Sequence, residues 1–108
     1  MGDRISISFR DKYTESVVLF SHWGGMEFYK KAVAYILGLS KGVGKRVMNP
    51  LDRLEPCTVM VDFIRYITKG MDRVESDLYL GVDEFDGDNS DNGHFTIDVN
   101  NPLGENKQ

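Results

Sequence analysis

Val17-Val18-Leu19-Phe20 is the stretch that most limits what this chain can fold into. An extended backbone sends alternate side chains to opposite faces, and here neither face holds a polar position. Such a strand needs cover on both sides, from a second layer or from helices. Residues 16–22 are therefore read as a central strand. Next comes the only Trp of the chain, Trp23, and then its only adjacent glycine pair, Gly24-Gly25. Two glycines permit a tight turn or a close backbone approach, so the strand ends abruptly there.

The flanking sequence supplies the cover. Residues 4–9 alternate, with Ile5, Ile7 and Phe9 on one face and Arg4, Ser6 and Ser8 on the other, as in a strand with one wet face. The polar residues 11–14 make a short hairpin connection. From Met26 to Leu39 the apolar residues Met26, Tyr29, Val33, Ile36 and Leu37 recur at helical spacing, and glycines bracket the end. Glu55-Pro56 is a helix start with Pro where its missing N–H costs nothing. That helix runs to about Lys69, on a stripe of Met60, Phe63, Ile64, Ile67 and Met71. A third strand is expected over 78–82 with Leu78, Leu80 and Val82 inward. A fourth is expected over 94–99 with Phe95, Ile97 and Val99 inward and His94, Thr96 and Asp98 outward. The order β-β-α-α-β-β predicts an α+β fold, one antiparallel sheet of two hairpins with two helices packed on one face. Residues 1–100 form the single domain, and 101–108 a flexible C-terminal tail.

At 108 residues the chain has room for one core. One cysteine, Cys57, excludes an intramolecular disulfide and a multi-cysteine metal centre. No apolar run approaches the ~20 residues of a membrane span, and the alternating N-terminus is not a secretory leader, so a cytoplasmic location is expected. The net charge of −4 is unevenly spread: residues 1–54 carry nine Lys/Arg against five Asp/Glu, residues 55–108 four against twelve. A chain so divided can self-associate or bind a charged protein partner.

Several residues carry chemistry on paper. His22, with Trp23, Gly24 and Gly25, makes a turn where an imidazole and open backbone meet; it is the candidate for acid–base work or ligand binding. The N–H groups of the following helix start would favour an anion. His94 or Asp98 is its imagined partner, although no second catalytic group stands at a recognisable spacing from His22, and His94 itself reads as a surface residue. Asp88, Ser90, Asn92 and Gly93 match the first positions of a calcium loop, but Val99 stands where the closing Glu belongs, and Asn92-Gly93 is a turn dipeptide on its own account. Gly42-Val43-Gly44-Lys45 has the wrong spacing for a phosphate loop, and Arg46 replaces the needed Ser/Thr. Lys41, Lys45 and Arg46 remain a basic strip able to touch phosphates, although the acidity of the rest argues against a nucleic-acid partner. Cys57 falls in the first turn of a helix, where packing explains it. No cofactor is implied.

Ser21-His22-Trp23-Gly24-Gly25 resembles the motif of a group of small uncharacterised proteins from prokaryotes and their viruses, which share an opening hairpin, an apolar strand ending in these five residues, and then helices. The resemblance covers roughly residues 5–37, with a looser echo over 96–99. It implies a viral or mobile-element origin and no particular activity, and carries over no catalytic residue. The sequence thus leads to a protein-interaction or self-associating module. The alternatives are a small hydrolase or metal-dependent enzyme centred on His22, and a nucleic-acid modulator acting through the basic strip.

Overall fold

In a computed structural model of the protein, residues 2–40, 55–71 and 77–101 are described. The elements are β1 (Ile5–Arg10), β2 (Val18–Ser21), α1 (Gly25–Ser40), α2 (Pro56–Ile67), β3 (Leu78–Gly81) and β4 (His94–Asp98). They give the expected α+β order around one four-stranded sheet. Both helices bury their apolar sides against the same face, where Ile5, Ile7, Phe9, Leu19, Phe95 and Ile97 meet Phe28, Ile36, Val59 and Phe63. Phe63 is central to this layer, its ring contacting Phe9, Phe28 and Tyr35 edge-on or tilted at 5.3–6.0 Å. The helix stripes sit slightly off the sequence reading. Phe28, Ala32 and Tyr35 take the buried line of α1, while Met26 and Met71 are exposed.

Strand order departs from two hairpins. The sheet runs β3-β2-β1-β4, with β1·β2 and β2·β3 antiparallel and β1·β4 parallel. The expected β3·β4 hairpin is therefore replaced by a crossover between opposite edges. The two strands point the same way, so the chain must travel back along the sheet between them, and parallel strands need a connection of about a dozen residues for this. Residues 82–93 make that passage across the face away from the helices, and they cover it as they go. Gly87 lies against the rings of Phe20 and Tyr79, which stack at 4.9 Å, and Gly81 lies against Phe20.

This crossover corrects the wet-face reading. Ser6, Ser8, His94 and Thr96 point away from the helices, yet all four are buried, as are Val18 and Phe20 on the same face. The central strand β2 is shorter than the expected 16–22 and has cover on both sides, from helices on one and the loop on the other, for Val18, Leu19 and Phe20; Val17, just before it, is exposed. Leu80 and Val82, expected inward, are instead exposed at and beyond the β3 edge.

The acidity of the loop is largely structural. Asp86 accepts the N–H groups of Val82 and Asp83, Asp83 accepts that of Phe85, and Asp88 that of Ser90. Arg4 pins the far end, pairing with Asp88 at 3.1 Å and Asp91 at 3.2 Å. Backbone and side-chain donors of Ser90, together with Arg4 and His22, hold the Asp88 carboxyl below its ordinary pKa. Among the described residues, no helix is long and apolar enough to cross a membrane.

Candidate functional site

Side chains on the loop-covered face form one hydrogen-bonded row about His94. His94 stands beside Ser6 in the β1·β4 register. Its Nδ1 lies 2.7 Å from Ser6 Oγ, and its Nε2 lies 3.3 Å from Ser8 Oγ and 3.2 Å from Thr96 Oγ1. Ser8 Oγ donates to Glu15 Oε2 at 2.6 Å. Asn89 Nδ2, from the loop, donates to Ser6 Oγ at 2.9 Å and to the Glu84 carbonyl at 3.1 Å.

Counting protons fixes the direction of the row. A serine hydroxyl has one hydrogen and two acceptor sites. Ser8 gives its hydrogen to the Glu15 carboxylate, so toward His94 it can only accept. The ring proton is then on Nε2, leaving Nδ1 as the acceptor for Ser6 Oγ–H. The row therefore runs Asn89 to Ser6 to His94 to Ser8 to Glu15, every member donating to the next, with a neutral imidazole in the middle. Burial holds the His94 pKa below its ordinary value, against the upward pull of Glu84 and Glu15. A serine, a histidine and a carboxylate in series suggest nucleophilic catalysis, but Ser6 is 0% exposed, so its hydroxyl has no route to a substrate.

Beside the row opens a pocket of about 270 Å³ lined by Glu15, Ser16, Val18, Val82, Asp83, Glu84, His94 and Thr96. It holds three carboxylates and no Lys or Arg. Val82 forms part of its wall at 81% exposure, and Phe85, three residues on, is 85% exposed.

The sequence-derived candidates fall elsewhere. His22 lies just past the β2 end, its ring edge-on to Trp23 at 4.6 Å, and Trp23 is 59% exposed. Gly24 donates its N–H to Ser21 Oγ, and a Cβ there would strike Phe28. Gly25 opens α1 at a φ of 60°, with the Asp3 carboxylate against it. The first N–H of the helix start expected to attract an anion, that of Gly25, donates instead to the Asp3 backbone carbonyl at 2.9 Å.

Asp98 cannot assist His22. It pairs with Arg10 at one end of β1, whereas Ser21, next to His22, pairs with Ile5 at the other, about 17 Å away at strand rise. His94 is nearer, but β1 lies between β4 and β2, a separation of about 10 Å. It is also buried at 5% exposure, not a surface residue.

Of the calcium-like residues, Asp88 is engaged with Arg4 and the Ser90 N–H, and Asn92 donates to Asp3 and to the Arg4 carbonyl. Among the described residues, no three His, Cys, Asp or Glu side chains are grouped to hold a metal ion. Cys57 is exposed at the start of α2, beside a shallow hollow shared with Asp11, Tyr13 and Glu55. Lys41, Lys45 and Arg46 lie outside the described residues.

No protein-family model, curated protein or solved structure matches the chain.

Proposed function

We propose that this domain is a protein-interaction module that takes a basic segment of a partner into the pocket between Glu15 and residues 82–84. The observation that carries the reading is the pairing of three carboxylates, with no Lys or Arg, in the lining of that pocket with the exposed apolar Val82 in its wall and the exposed Phe85 three residues on. Its volume of about 270 Å³ is below the ~300–1,000 Å³ usual for small-molecule and cofactor sites. A single Lys or Arg side chain suits it better. The carboxylates would meet the cation, while Val82 and Phe85 would pack on the apolar neighbours of that residue, the combination of charged rim and apolar anchor found at protein interfaces. Membership of the prokaryotic and viral group sharing the Ser21–Gly25 motif is part of the same proposal. It is supported by the tight junction that Ser21, Gly24 and Gly25 form between β2 and α1.

The test is a titration of a short peptide carrying Arg among apolar residues, against the same peptide with citrulline at each Arg, followed by amide shifts. The expected result is saturable, salt-sensitive shifts in residues 15–18 and 82–85 for the Arg peptide only, lost in Asp83→Asn/Glu84→Gln. Equal shifts with citrulline, or shifts confined to another face, would refute the reading.

A further inference from the structure

The neutral state of His94 does more than fill a buried polar face. Ser6 Oγ–H has His94 Nδ1 as its acceptor at 2.7 Å, and Ser6 is fully buried. The same oxygen receives Asn89 Nδ2, whose amide also reaches the Glu84 carbonyl. Asn89 is thus the clasp between the crossover loop and the strand beneath it, and the clasp depends on where the His94 protons are.

We propose that His94 is a proton-operated latch for the crossover loop, in which charging of the imidazole releases Asn89 from Glu84 and remodels the acidic pocket. When Nδ1 gains a proton it becomes a donor to Ser6 Oγ, and the Ser6 hydrogen loses its acceptor. Water does not reach this oxygen. An acceptor able to replace Nδ1 is the amide oxygen of Asn89, whose Nδ2 already contacts Ser6 Oγ, presented by a flip of that amide. The flip turns the Nδ2 hydrogens away from Ser6 and breaks the bond to the Glu84 carbonyl, because one amide cannot serve both arrangements. A buried donor left unpaired is the costly alternative.

The groups around the ring agree with such a device. From β1 it meets Ser6 and Ser8, from β4 Thr96, and from β2 the pocket wall at Val18, none of them charged. The charged groups bearing on it are Glu84 from the loop and Glu15 before β2, with Asp83 also in the pocket lining. Once formed, the imidazolium draws both carboxylates toward it and away from any cation in the pocket. As regulation of ligand binding the latch rests on the function proposed above; as a switch of the loop it stands without it.

The experiment is a pH titration of the peptide-free protein by NMR, reading the His94 ring nitrogens, the Asn89 side-chain amide and the backbone amides of 82–93. At neutral pH the ring carries its proton on Nε2. Below the His94 midpoint, which lies under that of a free histidine, the Asn89 amide signal shifts and loses exchange protection, and the loop amides inflect at the same midpoint. His94→Gln, which stays neutral, abolishes that inflection. Should it fold poorly, Ser6→Ala serves instead: His94 still titrates while Asn89 no longer follows it. Loop amides indifferent to the His94 midpoint, or an inflection that persists in both variants, would overturn the latch. Arg-peptide titration at fixed neutral pH reads the binding proposal separately, so either can fail alone.

Discussion

Adding one methyl group at Gly87 and one at Gly38 should move stability in opposite directions, and the contrast tests the covered face directly. A Cβ built at Gly87 falls 2.6 Å from Tyr79 Cε2 and 2.8 Å from two ring atoms of Phe20, well inside ordinary contact. Phe20 cannot retreat, because it is fully buried and its strand is paired on both sides. Tyr79 is stacked on Phe20 and its hydroxyl receives the Asp88 N–H at 3.0 Å, so moving it costs a ring contact and a loop hydrogen bond. Overpacking of this kind costs about 1–3 kcal/mol. In a domain of this size each kcal/mol corresponds to about 4–8 °C in Tm, so Gly87→Ala should melt on the order of 5–20 °C lower. Gly38 is the counterpart. It lies inside α1, has an ordinary helical φ, and a Cβ there meets nothing within 4 Å. Gly38→Ala should gain about 1 kcal/mol from helix propensity and melt about 4–8 °C higher. Scanning calorimetry on the two variants and the parent decides it. A parental Tm for Gly87→Ala would mean that residues 82–93 do not lie on Phe20 and Tyr79, and the buried polar row would lose its roof.

Two further substitutions probe the frame. Gly25→Ala combines a left-handed φ with collision against the Asp3 carboxylate, and should cost about 1–3 kcal/mol in urea unfolding; a neutral result would remove Asp3 from the α1 start. Tyr35→Phe deletes the bond from the Tyr35 hydroxyl to Asp62, which joins α1 to α2 and shares its carboxylate with Arg65. It should cost about 1–2 kcal/mol, and an unchanged urea midpoint would show that Asp62 is satisfied without it.

Much of the frame was legible because it rests on local signals. Val17 to Phe20 demanded cover on two faces, Glu55-Pro56 announced α2, and the period-2 pattern of residues 4–9 placed β1. What local signals do not carry is which edge β4 joins. Sequence proximity favoured a β3·β4 hairpin across residues 83–93, and Asn92-Gly93 strengthened that reading. The structure uses Gly93 at a φ of 89° to enter β4 instead, beside β1 on the opposite edge from β3.

The buried row is hidden from local sequence signals for the same reason. With the loop as a hairpin tip, Ser6, Ser8, His94 and Thr96 face water and His94 is a surface residue. A signal was nevertheless there. A solvated strand face in a chain with 28% charged residues would be expected to carry long charged side chains. Between Arg4 and Arg10 this face of β1 offers only serines, and β4 offers His94 and Thr96. Small uncharged hydrogen-bonding groups at alternate positions suit a face that is buried yet polar, because each can be satisfied within the layer. Large apolar residues there would have made an ordinary second core, fixed at every pH. A row of hydroxyls about one imidazole makes a covered face whose hydrogen-bond directions turn on a single proton, and that imidazole also lines the acidic pocket beside the row.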